Sequence, residues 1–166
     1  MAVAQTTEFD IVIAGAGMVG ASLACLLADT SLRIALIDRL PLTPASDSLE
    51  QLSRDKFDPR VSAISQASQQ LFRDIGVWDS IAAKRACNYQ AMEVWDAEGT
   101  GSISFSATQI SEPELGSIVE NSIITAMLHN RIAQLENVTA ISPFSIESFE
   151  TIEDERGSCV ELNASE

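Results

Sequence analysis

Three glycines and one aspartate hold the clearest chemistry in this sequence. Gly15, Gly17 and Gly20 stand in the pattern G-x-G-x-x-G inside "DIVIAGAGMVGASLACLLADTSLRIALIDR", Asp10 to Arg39, and Asp38 follows Gly15 by 23 residues. That spacing suits a loop that cradles a pyrophosphate. Gly15 permits the tight turn. Gly17 lets phosphates approach the backbone without a Cβ in the way. Gly20 and Ala24 let the following helix lie close to its sheet. The first N–H groups of such a helix lack internal partners and point at the anion, and the helix dipole adds about 0.3–1 kcal/mol. Asp38 would accept hydrogen bonds from a ribose diol, worth about 1.5–3 kcal/mol. The glycine pattern alone also fits a tight structural turn with no ligand. Its context strengthens the binding reading, because the loop follows an apolar strand, opens a helix, and an acid ends the next strand.

The elements that must position these residues can be read from hydrophobic period. Phe9 to Ala14, "FDIVIA", and Leu32 to Asp38, "LRIALID", are short apolar runs of the kind a buried parallel strand needs. Between them Leu23, Leu26 and Leu27 recur at helical spacing. Residues 9–39 therefore form a strand–helix–strand unit. Leu40 to Phe57, with Pro41, Pro44 and several serines, reads as a long loop. "SQASQQLFRDIG" reads as a helix capped by Ser65 and stopped at Gly76, and "VWDSIAAKRA" as a second short helix. From Ala91 the period becomes two, and residues 90–107 are expected to form an inserted antiparallel hairpin around Gly99 and Gly101. Ile124, Met127, Leu128, Ile132 and Leu135 define one face of a later helix, with Asn121 or Ser122 as its cap. "NVTAIS" suits a strand rejoining the parallel sheet, and a last hairpin turns near Arg156 and Gly157. Trp78 and Trp95 read as packing residues.

Composition narrows the function classes. The chain has 166 residues, 46% of them hydrophobic, enough for a core. Its net charge is −14, and Ala91 to Glu166 holds 14 acids against 2 bases. Such a surface repels phosphate backbones and anionic headgroups, which argues against a nucleic-acid partner. There is no apolar run of about 18 residues, and no transmembrane segment is expected. The N-terminus lacks the pattern of a secretory leader, so a cytoplasmic location is expected. Cys25, Cys87 and Cys159 lie too far apart for a zinc site, and no metal is expected. His129, the only histidine, reads as a surface or cap residue. No Ser/His/Asp set can be drawn, so no catalytic side chain is assigned. The glycine loop alone does not separate FAD from NAD, since both carry an ADP half. A simple NAD domain would continue with another α/β crossover, whereas the inserted helices and hairpin suit a flavoprotein.

The segments "FDPRVSAISQASQQLFRDIGVWDSI" and "NYQAMEVWDAEGTGSISF", with "LGSIVENSIITAML" after them, resemble one family across nearly the whole chain. These are the FAD-dependent aromatic hydroxylases of ubiquinone biosynthesis, of the 2-octaprenylphenol hydroxylase type and related to p-hydroxybenzoate hydroxylase. The resemblance implies an α/β fold with a Rossmann-like FAD-binding βαβ unit, an inserted antiparallel hairpin, and an incomplete p-hydroxybenzoate hydroxylase-like architecture. It implies FAD as cofactor, NADPH or NADH as electron donor, and a polyprenylated phenol and oxygen as substrates. Association with other ubiquinone-biosynthesis proteins and a place peripheral to the inner membrane are further implications. Gly15, Gly17, Gly20 and Asp38 would hold the ADP half, and Arg39 would lie against its adenine-ribose side. Arg60 would contact the flavin's phosphate or ribityl region, or else form a surface ion pair with Asp58 or Asp55. Glu120 and Asn121 would lie near the flavin's middle section, with plain helix capping the other reading of Asn121. The family continues with Ala-Asp-Gly and Gly-Asp motifs that this sequence does not contain. The chain is therefore expected to be an N-terminal part of such an enzyme, inactive alone. The competing readings are an NAD-binding dehydrogenase domain and a truncated nucleotide-binding module without catalysis.

Overall fold

The computed structural model describes residues 6–42, 57–154 and 157–165. In chain order its elements begin with β1 (Ile11–Ala14), α1 (Met18–Leu26), β2 (Ile34–Ile37), β3 (Val61–Ser65), α2 (Gln66–Asp74) and α3 (Trp78–Lys84). They continue with β4 (Ala86–Tyr89), β5 (Ala91–Trp95), β6 (Ser102–Ser106), a 3-10 turn at Ala107–Ile110 and β7 (Gly116–Glu120). The last are α4 (Asn121–Ile132), β8 (Val138–Ile141), β9 (Ser145–Asp154) and β10 (Gly157–Ser165). Two compact units emerge, one of residues 1–44 and 128–166, the other of residues 45–127.

In the first unit β2 lies between β1 and β8, and all three run parallel, with Ile34 opposite both Ile11 and Val138. All four β2 side chains are buried, which is why this strand is a continuous apolar run rather than an alternating one. The two strands are shorter than their apolar runs suggest, since Phe9 and Leu32 lie outside the ladder. Helix α1 buries Ala21, Ala24 and Cys25, whereas Leu23 and Leu26 are 44% and 48% exposed. Leu23 and Leu26 therefore lie on the outer face of α1, while Leu27, its C-cap, is half-buried. The cause is close packing. A Cβ on Gly20 would overlap the Gly15 carbonyl oxygen, so only small side chains fit beneath the helix. Asn137 closes this unit by donating from Nδ2 to the carbonyls of Leu27 at 3.0 Å and Leu32 at 3.2 Å. β9 and β10 pair antiparallel from Asp154 opposite Gly157, while Arg156 lies outside the described residues.

In the second unit β7 is central and pairs antiparallel with both β3 and β4. A Cβ on Gly116 would strike the Ile64 carbonyl, so the β3–β7 edge is close-packed there. Ser65 caps α2 through a bond from the Ser68 N–H to its Oγ, and Gly76, at φ 78°, turns the chain after it. A polar chain runs through the core: Arg73 donates to Gln69 at 3.2 Å, Gln69 to Ser117 at 2.9 Å, and Ser117 to Asn88 at 2.8 Å. The two buried members of this chain, Gln69 and Ser117, thus find partners. Trp78 is buried beneath the Arg73 guanidinium, whereas Trp95, read as a packing residue, is 69% exposed at the end of β5. β5 and β6 form a hairpin with Met92 opposite Phe105 and Val94 opposite Ile103. Asn121 is the first residue of α4 rather than a residue before it, and Leu135 lies past the helix end. Ile124 and Met127 are buried, as are Leu128 and Ile132 further along α4. The long loop expected at Leu40–Phe57 falls mostly at residues 43–56, outside the described residues. Among the described residues no helix is long and apolar enough to cross a membrane.

Candidate functional site

The glycine loop is built by β1 and the start of α1. Gly15 has φ 98°, a conformation that disfavours any side chain, and its N–H donates to the Ile37 carbonyl at 2.7 Å. Asp38, at the end of β2, accepts from the Ala16 N–H at 2.6 Å and from the Leu40 N–H at 2.8 Å. Both oxygens are thereby fixed in direction, and a carboxylate still has lone pairs for further donors. Gly17 is the N-cap of α1 and supplies no side-chain cap; the first turn holds no acid. The first intrahelical bond runs from the Ala21 N–H to the Gly17 carbonyl at 2.9 Å, so the N–H groups of Met18, Val19 and Gly20 have no intrahelical acceptor. A Cβ at Gly17 would meet no protein atom within 4 Å.

Beside the loop lies an open cleft of about 320 Å³, lined by Gly15, Ile37, Asp38, Arg39, Phe144, Ser145 and Ile146. Arg39 is exposed there. Phe144, Ser145 and Ile146 were not singled out from sequence. Their signal is positional: they follow β8, which returns beside β2, and ligands of open parallel sheets bind beyond the carboxyl ends of the strands. The Phe144 N–H donates to the Asp38 carbonyl at 2.8 Å, which ties this wall to the acid. His129, read as a surface or cap residue, is half-buried instead, with Nε2 2.7 Å from the Ala16 carbonyl oxygen.

The second unit gathers Arg60, Glu120 and Asn121. Glu120 is 5% exposed. Its Oε1 lies 2.9 Å from Arg85 Nε, and its Oε2 accepts from the Asp58 N–H at 2.7 Å and from Arg85 Nη2 at 3.3 Å. The Arg85 guanidinium lies over the Phe57 ring, 4.5 Å from its centre. Asn121 donates its N–H to the Arg60 carbonyl at 3.0 Å and accepts from Ser62 Oγ at 2.6 Å. Glu120 and Asn121 therefore hold the Asp58-Pro59-Arg60 turn from inside. Asp58 accepts the Arg60 N–H at 2.9 Å, and that bond chiefly holds its carboxyl below the ordinary carboxylate range. The Arg60 side chain pairs with Asp58 at 3.6 Å yet is 79% exposed, so its remaining donors face outward. Arg85 was not singled out from sequence. No spacing could reveal it, since its partner Glu120 is 35 residues away.

A sequence profile described as "FAD binding domain" matches residues 8–142. The chain belongs to the FAD-binding domain family. It is 36% identical over 143 residues to 3-demethoxyubiquinol 3-hydroxylase of Escherichia coli, covering 86% of this chain and 34% of that protein. It is 30% identical over 159 residues to the mitochondrial ubiquinone biosynthesis monooxygenase COQ6 of Dictyostelium discoideum, covering 89% of this chain and 31% of the relative. This member of the FAD-binding domain family thus spans about a third of the length of these relatives. Its fold is also that of the flavin-dependent monooxygenase PieE, solved with FAD and substrate, at a TM-score of 0.66 with 16% identity, covering 96% of this chain and 27% of that one. The probable FAD-dependent monooxygenase pqsL of Pseudomonas aeruginosa matches at a TM-score of 0.65 with 16% identity, over 95% of this chain and 38% of its own. The architecture is thus part of a p-hydroxybenzoate hydroxylase-like α/β fold.

The residues present fit the ADP half of FAD. The Gly17 backbone can be approached without meeting a side chain, and three helix N–H groups stand beside it. The adjacent cleft offers a carboxylate for a ribose and a phenyl ring beside it.

Proposed function

We propose that this chain is the FAD-holding portion of a flavin-dependent monooxygenase that hydroxylates a polyprenylated phenol in ubiquinone biosynthesis. The observation that carries the reading is the open Gly17 backbone beside the Asp38 cleft, in a chain whose relatives are ubiquinone-biosynthesis hydroxylases. Gly15 and Gly17 would bring the backbone against the pyrophosphate, and Gly20 keeps α1 close enough to aim its N–H groups there. Asp38 would accept from the ribose diol, with Arg39 and Phe144 on the adenine side. Arg60, presented by the turn that Glu120 and Asn121 hold, would reach the phosphate or ribityl region. Asn121 would lie near the flavin's middle, and Glu120 would act through the turn it holds. When bound, FAD supplies electron transfer from NADPH or NADH to oxygen. The chain's part is binding and orientation. The substrate would be a phenol with a polyprenyl tail, met in the cytoplasm or peripherally at the inner membrane, where associated ubiquinone-biosynthesis proteins would act in turn.

A chimera tests this reading. This sequence, exchanged for the matching segment of the Escherichia coli relative, is expected to restore ubiquinone, measured by mass spectrometry, in a host deleted for that hydroxylase. A Gly17→Val chimera is expected not to. Equal restoration by both chimeras, or none by the unaltered one despite stable expression, would refute it.

A further inference from the structure

We propose that His129 is a positioning residue of the glycine loop, holding the Ala16 carbonyl as the Nε2–H tautomer and thereby aiming the Gly17 N–H at the anion. The inference rests on the reading of this loop as a pyrophosphate site.

The geometry fixes the tautomer. His129 Nε2 is 2.7 Å from the Ala16 carbonyl oxygen, and a carbonyl can only accept, so Nε2 carries the proton. In the neutral ring Nδ1 is then the lone-pair nitrogen. It is buried and, among the described residues, has no hydrogen-bond partner, which leaves the ring a single polar contact there.

That task falls on the one residue of the turn that glycines flank on both sides. Ala16 is 2% exposed between Gly15 and Gly17. Glycine backbones rotate freely, so this peptide needs external restraint. Asp38 grips it on one side by accepting the Ala16 N–H at 2.6 Å, and His129 grips it on the other. The second grip acts on the next peptide group. Ala16 C=O and Gly17 N–H belong to one planar trans unit, in which they point in opposite directions. Drawing the carbonyl towards His129 therefore turns the Gly17 N–H away from it. Gly17 is the N-cap of α1, and its surroundings are free of protein atoms within 4 Å of where a side chain would begin. The imidazole thus sets the direction of a backbone donor without touching the ligand.

Two measurements on the full chain test this. The sequence has one histidine, so long-range 1H–15N correlation reads its tautomer without assignment. The Nε2–H pattern is expected, and an Nδ1–H pattern at pH 7.5 would overturn the proposal. For function, His129→Leu is expected to weaken ADP binding about 3- to 10-fold, the effect of one neutral hydrogen bond. His129→Gln, whose amide keeps a donor at similar reach, is expected to recover most of the loss. Parent-like ADP affinity in His129→Leu, or no recovery in a folded His129→Gln, would overturn the positioning role. If the parent binds neither ADP nor FAD, the nucleotide reading fails, and the tautomer still decides the His129–Ala16 bond.

Discussion

At the scale of single residues, Gly17 and Gly20 have different physical reasons to be glycine. Gly17→Val introduces a Cβ that meets no protein atom within 4 Å, so its melting temperature should stay near the parent's while calorimetry shows loss of ADP and FAD binding. Gly20→Ala drives a methyl into the Gly15 carbonyl and should cost about 1–3 kcal/mol of stability, read by urea denaturation. Binding by Gly17→Val equal to the parent would make the loop structural only. Arg60→Ala should weaken FAD more than ADP, by about 1.5–3 kcal/mol for a charge-assisted bond. Equal losses would move Arg60 away from the flavin side, and no loss would leave it as the surface partner of Asp58. Cys25 differs from the other thiols because burial pushes it up to about 11, with the Arg131 charge acting the other way. At pH 8 iodoacetamide should modify the exposed Cys87 and Cys159 and spare Cys25, as peptide mass spectrometry would show. The sign for stability follows. The folded thiol is raised above its ordinary 9.0, so its contribution is present below pH 9 and is lost as pH rises towards 11.

At the scale of elements, what could be read from sequence divides by distance along the chain. The loop and Asp38 were legible because β1, α1 and β2 are contiguous, and an acid at a strand end has few other reasons to sit there. β2 was legible because a strand buried on both faces is apolar throughout. The close approach of α1 was legible in Gly20 and Ala24, because the space under a helix is set by its closest contact, here Gly20 on Gly15, and that distance excludes leucine. His129 and Asn137 act across 113 and 110 residues, and no local pattern announces such partners. The same holds for Arg85 and Glu120, which tie β7 to the turn before β3. Arg85→Met would leave the Glu120 carboxylate buried without its cation and should cost about 3–5 kcal/mol in urea denaturation. Adding Glu120→Leu should return much of that loss, whereas a single-variant cost below about 1 kcal/mol would mean that the pair is solvent-relaxed.

For the molecule as a whole, the charge of −14 sets a constraint on any anionic ligand. A dinucleotide approaching this chain meets repulsion at long range, so on the proposed reading its binding would come from local groups. The loop N–H groups and the Asp38 acceptor would serve any ADP-bearing molecule, whereas Arg60 would serve only a ligand that extends past the ADP half. The measurement that tests this most directly is calorimetric titration of the chain with FAD, ADP and NAD at fixed ionic strength. FAD is expected to bind tightest, ADP more weakly, and NAD no better than ADP. Clear NAD binding with no response to FAD would contradict the flavin reading.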